Sequence, residues 1–193
     1  TKSPILVDPI LKGLTVAIQG IGHVGYALAK LLHEAGASLI VTDVNEIALK
    51  KAERELGARV VALDEIYDAP ADIFAPCAAG AVLNPDTIPR LKVPVVAGAA
   101  NNQLDTPESE MLLKQRGILY APDYVINGGG IINVAAEISG RYDPVWVQAR
   151  LDCLMETLDG VFAEAARLDL PAGEVADRMA RARIDAAKLR KAG

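Results

Sequence analysis

Gly20, Gly22 and Gly25 stand in the spacing G-x-G-x-x-G, and Asp43 follows eighteen positions after the last of them. The three glycines have separate physical uses. Gly20 permits a tight turn, Gly22 lets backbone approach a pyrophosphate, and Gly25 lets a helix lie close to the strand before it. A helix that starts there offers N–H groups and the positive end of its dipole to phosphates. A carboxylate at position 43 can accept hydrogen bonds from adenosine ribose hydroxyls and repels a 2′-phosphate. The run Asp43-Val44-Asn45-Glu46 supplies no arginine to offset that repulsion. The pattern therefore selects NAD(H) over NADP(H). Two plainer readings compete with it. The glycines could form only a tight turn, and Asp43 could cap the next helix, although Asn45 is better placed for that.

These residues need a strand before them and a helix after them. LTVAIQ at 14–19 is a short β-branched apolar run that reads as a buried strand. Residues 23–35 place Val24, Leu28, Leu31 and Leu32 at helical spacing, and Gly36 terminates the helix. SLIVT at 38–42 is a second strand, 46–56 a second helix between Asn45 and Gly57, and 59–62 a third strand. Further on, the pattern predicts strands at 72–75, 94–97 and 118–121 and helices at 84–91, 108–116 and 130–139. The alternation predicts an α/β fold, a doubly wound, mainly parallel sheet of Rossmann type. After Asp143, Val147, Leu151, Leu154, Leu158, Val161 and Ala165 mark a long amphipathic helix, and Pro171 opens a last one. The expected division is an N-terminal extension at 1–12, a dinucleotide-binding domain at 13–143 and C-terminal helices at 144–193.

Three loops follow the later strands: 76–80, 98–103 and 124–130. In such sheets they gather at the carboxyl ends of the strands, where ligands bind. Asn101, Asn102 and Asn127 supply amide donors and acceptors suited to a carboxamide, a ribose or a carboxylate. They are equally suited to stabilising turns. None of these loops contains a lysine or histidine, and Asp123 is the one nearby carboxylate. An enzyme that transfers a hydride usually needs an acid or base near the carbon that reacts. The loops carry binding chemistry without proton chemistry, so no catalytic residue is assigned. His23, beside the phosphates, reads as a surface residue, and His33 as exposed.

Composition narrows the classes. The 193 residues carry a net charge of −5, which does not favour nucleic acid or an anionic membrane as partner. No apolar run reaches the ~18 residues of a membrane span. Residues 1–12 lack the pattern of a secretory signal. Cys77 and Cys153 form no CxxC pair and only two histidines are present, so no metal site is expected. Reduced thiols fit a cytoplasmic location.

The stretches GLTVAIQGIGHVG, LIVTDVN, DIFAPCAAG, VVAGAANNQL, GILYAPDYVINGGGIINVAAEI and VADRMA fall in order over roughly residues 13–185. Together they resemble the leucine, valine and phenylalanine dehydrogenases, relatives of glutamate dehydrogenase. The resemblance implies the NAD-binding C-terminal domain of such an enzyme, which catalyses reversible oxidative deamination of an L-amino acid to a 2-oxo acid and ammonia. The catalytic lysines of the family belong to an N-terminal domain with no counterpart here. The chain alone is then expected to be inactive, and to meet an amino or 2-oxo acid only together with that domain. The resemblance implies that Gly20, Gly22, His23, Val24 and Gly25 hold the pyrophosphate. Asp43 and Val44 would hold the adenosine ribose. Cys77, Ala78 and Ala100 would line the cofactor cleft, with Asn102 and Asn127 at the nicotinamide. Asn102, Ile131 and Val134 would line the substrate pocket, although ordinary core is the plainer reading of the last two. His23 and Gly128 depart from the family's usual residues. The alternative is a stand-alone NAD(H)-binding module without catalysis. A complete dehydrogenase of another family lacks proton-handling residues here. A surface left bare by a lost domain could also drive homo-oligomerisation.

Overall fold

The computed structural model describes residues 11–138 and 142–192, so most of the expected extension at 1–12 lies outside the described residues. Successive strand residues feed opposite faces of one sheet. Ala17, Ile40, Phe74 and Val96 join one buried cluster, while Val16, Ile18, Leu39, Val41 and Ala75 join the other. A strand buried on both faces needs apolar residues throughout, which is why these segments lack polar alternation.

The strands are β1 (Thr15–Gln19), β2 (Ser38–Thr42), β3 (Arg59–Val60), β4 (Ile73–Pro76), β5 (Val95–Val96) and β6 (Leu119–Tyr120). All pair in parallel in the order β3-β2-β1-β4-β5-β6, the order of a doubly wound nucleotide-binding sheet. The helices are α1 (His23–Glu34), α2 (Glu46–Leu56), α3 (Ser109–Gln115), α4 (Asp123–Ile126), α5 (Gly128–Ile138), α6 (Pro144–Leu168) and α7 (Ala172–Ala192). A third cluster, built on Val161, Ala165, Ala172, Val175 and Ala176, joins α6 to α7. No described helix is long and apolar enough to cross a membrane.

Several expectations need correction. The helix expected at 84–91 is a turn followed by a short 3-10 segment, Ile88–Arg90. Pro85 and Pro89 lack N–H groups, and Asn84 Oδ1 accepts from the N–H groups of Asp86 and Thr87, a local alternative to a helix. The loop expected at 124–130 contains most of α4 and the start of α5. The strands expected at 59–62, 94–97 and 118–121 contract to two residues each. Of the apolar face expected in α1 at Val24, Leu28, Leu31 and Leu32, Leu28 and Leu32 pack on the core and the other two do not. Gly25 and Ala29 are its buried residues, and Val24 and Leu31 are exposed. At Gly25 the helix lies too close to the strand end for a side chain, while Tyr26, Leu28 and Leu32 pack against the core from its flanks.

Candidate functional site

β1 and β4 are neighbours, and the chain winds outward from them in both directions. Their carboxyl ends therefore open a crevice, the usual ligand position in such sheets. Two loops enter it, 20–25 after β1 and 76–80 after β4. Gly20 has φ +99° and donates its N–H to Thr42 O at 2.8 Å. A Cβ on Gly20 would stand 2.6 Å from Ala78 Cβ, so glycine here allows both the turn and the approach of the second loop. A Cβ on Gly25 would stand 2.0 Å from Gly20 O and 3.2 Å from Cys77 Cβ. Gly22 is different: a Cβ there would meet nothing within 4 Å. The backbone at Gly22 faces open space, where a ligand can reach it.

The start of α1 borders that space. Tyr26 N–H donates to Gly22 O at 2.8 Å, so the N–H groups of His23, Val24 and Gly25 precede the first helical bond. The N-cap position is Gly22, and no side chain caps this end among the described residues. His23 and Val24 are exposed beside it. Half-buried Asp43 faces the same loop from the end of β2. One of its carboxylate oxygens accepts from Ile21 N–H at 2.5 Å, the other from Asn45 N–H at 2.8 Å. Asn45 in turn caps α2 through the N–H groups of Ile47 and Ala48. Val44 stands exposed between them.

The remaining loops continue the crevice along the sheet. Cys77 N–H donates to Gln19 O at 2.7 Å, and Ala100 N–H to Pro76 O at 2.9 Å. Ala81 N–H donates to the carbonyl of Asn102 at 2.7 Å. Asn102 is exposed and has φ +52°, a left-handed conformation that asparagine tolerates better than most residues. Ala100 is buried beneath it. Asn127 Nδ2 donates to Ala100 O at 3.0 Å and to Asn101 Oδ1 at 3.3 Å, tying the third loop to the second. Ile131 and Val134, on α5, are 76% and 51% exposed, so the plain core reading does not hold for them. The structure thus places positions 20–25, 43, 77–78, 100–102 and 127 along one continuous edge of the sheet.

Gln103, which the sequence reading passed over, and Asp123, noted there only as a nearby carboxylate, hold the middle loop. Fully buried Gln103 donates from Nε2 to Gly98 O at 2.8 Å and to Ala100 O at 2.9 Å. Its N–H donates to buried Asp123 Oδ2 at 2.9 Å. Asp123 is therefore a buried acceptor that fixes the loop before it. Only the meeting of two loops twenty residues apart gives the pair this role, and no periodicity marks it.

Electrostatics separates this crevice from a neighbouring cavity of about 870 Å³ between α3, α4 and α7. Asp105, Glu108, Glu110, Asp123, Glu174 and Asp177 line that cavity, and six carboxylates repel a phosphate. The glycine loop is thus the better anion cradle. Burial pushes the Cys77 thiol up from its ordinary pKa, against a weaker opposing hydrogen bond from the Ala99 backbone. That shift disfavours the thiolate form a nucleophile would need.

The glutamate/leucine/phenylalanine/valine dehydrogenase family model matches residues 40–167. The chain belongs to this family. It is 49% identical to the leucine dehydrogenase of Thermoactinomyces intermedius over 178 residues, covering 92% of this chain and 48% of that enzyme. It is 43% identical to the phenylalanine dehydrogenase of Lysinibacillus sphaericus, covering 93% and 48%. The crystal structure of L-tryptophan dehydrogenase from Nostoc punctiforme superposes with a TM-score of 0.86 at 43% identity, covering 90% of this chain and 53% of that one. The chain spans about half the length of the curated relatives it matches.

Proposed function

We propose that this chain is the NAD(H)-binding half of an amino acid dehydrogenase of the leucine, valine and phenylalanine type. The reaction is reversible oxidative deamination of an L-amino acid to its 2-oxo acid and ammonia. The observation that carries this reading is the uncapped start of α1 beside the open backbone of Gly22, with the Asp43 carboxylate next to it. That donor set fits a dinucleotide: N–H groups for the pyrophosphate and a carboxylate for the adenosine ribose.

In this reading His23, Val24 and Gly25 offer their N–H groups to the pyrophosphate. Each Asp43 oxygen already accepts one N–H and keeps a lone pair for a ribose hydroxyl. Cys77 and Ala78 line the middle of the cleft, and Asn102 and Asn127 bound its nicotinamide end. NAD, when bound, supplies the acceptor for a hydride from the substrate α-carbon. This half orients that acceptor and keeps water from one side of it. Ile131 and Val134 give an exposed apolar face to the substrate side chain. Apart from His23 at the phosphate end, the loops of the cleft carry no lysine or histidine, so proton transfer falls to the lysine-bearing domain that the family resemblance implies.

The test is a fluorescence titration of the purified chain with NADH and NADPH in parallel, followed by an assay with leucine, valine and phenylalanine. Saturable NADH binding, weaker NADPH binding and no amino-acid-dependent NAD reduction by this chain alone are expected. Tighter binding of NADPH, or binding of neither, would overturn the assignment.

A further inference from the structure

We infer that Asp43 is also a positioning residue for the phosphate cradle, so that ribose recognition and loop geometry are one coupled unit. The link to the cofactor rests on the NAD(H) reading above; the link to the loop rests on geometry alone. The end of β2 holds two consecutive peptides of the glycine loop. Thr42 O accepts from Gly20 N–H at 2.8 Å, and Asp43 Oδ2 accepts from Ile21 N–H at 2.5 Å. The Ile21 side chain is 2% exposed and packs with Val16, Ile18 and Val41. Ile21, the residue before Gly22, is thereby pinned twice, by its apolar side chain and by a charged acceptor for its N–H.

Nothing else crowds Gly22, and a Cβ there would meet no atom within 4 Å. The backbone that meets a phosphate is therefore held through Ile21 rather than by packing at Gly22 itself. The other Asp43 oxygen takes Asn45 N–H at 2.8 Å, which ties the same carboxylate to the entry of α2. Removing the carboxylate leaves Ile21 N–H without its acceptor and frees the loop to rotate. A ribose acceptor with no such role could be deleted to admit a 2′-phosphate. Here that deletion also loosens the cradle that every dinucleotide needs.

The experiment compares the parent chain with Asp43→Ala and Asp43→Asn. It reads backbone amide exchange by NMR without ligand and affinity for NADH and NADPH by titration. Ile21 N–H in Asp43→Ala should exchange about tenfold faster or more, the size of one charge-assisted hydrogen bond, with Gly20 N–H little changed. Asp43→Asn, which keeps an amide oxygen as acceptor, should restore most of the protection. Asp43→Ala should lose NADH affinity without gaining any for NADPH, although a repelling charge has gone. Unchanged Ile21 exchange, or a gain in NADPH affinity in Asp43→Ala, would overturn the inference. If the parent binds neither nucleotide the NAD(H) reading fails, and the exchange comparison still decides the role of Asp43 in the loop.

Discussion

Neighbouring helices begin in opposite ways. α2 is closed by Asn45, whose side chain takes the N–H groups of Ile47 and Ala48, and by Asp43, which takes the N–H of Asn45 itself. α6 is closed the same way by Asp143, and α7 by Glu110, which reaches from α3 to Gly173 N–H at 2.7 Å. α1 begins at Gly22 with no side-chain cap. An uncapped start costs stability unless another group fills it. The cost is accepted where the crevice between β1 and β4 opens and where the backbone is bare. The short helices α3 and α4 also start without a side-chain cap, but it is the start of α1 that opens on the crevice at a bare backbone, where the proposed ligand would complete it.

Substitutions at these starts separate fold from binding. The largest effect is expected at Gly25. A Cβ there would overlap Gly20 O, so Gly25→Ala should cost about 3 kcal/mol or more in urea unfolding and abolish NADH binding. A stable Gly25→Ala that still binds NADH would break the account of how α1 is seated. Gly22→Ala meets no atom, so its stability should hold or rise by about 0.4–1 kcal/mol, while NADH affinity falls about tenfold or more. Asn45→Ala should do the reverse. It should cost about 1 kcal/mol by thermal or urea unfolding and leave NADH affinity within about threefold of the parent. Equal effects of the two on binding would erase the contrast.

The smallest effect concerns Glu110 at the start of α7. Burial, with help from nearby Glu174 and Asp177, pushes its carboxyl above the ordinary glutamate value, outweighing its hydrogen bonds from Gly173 and Ala172. A carboxyl raised in the folded state contributes stability in its protonated form, and that contribution is lost as pH rises through the folded value. Glu110→Gln keeps the acceptor without the charge. Its stability relative to the parent should therefore rise from acid pH towards neutrality, as followed by unfolding at a series of pH values. A difference that is flat with pH would show that Glu110 ionises without penalty.

Much of this was legible in the sequence, for local reasons. The helices at 23–35 and 46–56 match α1 and α2 within a residue at each end, because caps, terminators and periodicity sit close together there. The placing of the glycines and Asp43 at one crevice followed from strand and helix alternation. What was not legible depends on groups distant in sequence. The bond from Ile21 to Asp43 spans two strands, and that from Gln103 to Asp123 joins two loops. The buried face of α1 was half right: Leu28 and Leu32 pack on the core, but close approach to the sheet selected Gly25 and Ala29 over the larger Val24 and Leu31. The segment 84–91 had helical composition in part, but its two prolines and the side chain of Asn84 favoured a turn.

The most direct test of the contrast between α1 and α2 is an amide NMR titration of the chain with NAD. The account predicts the largest shifts at Gly22, His23, Val24 and Gly25, a second group at Asp43 and Val44, and small changes at Glu46, Ile47 and Ala48. Shifts centred on the starts of α2, α6 or α7, or on the acidic cavity beside α3, would contradict it.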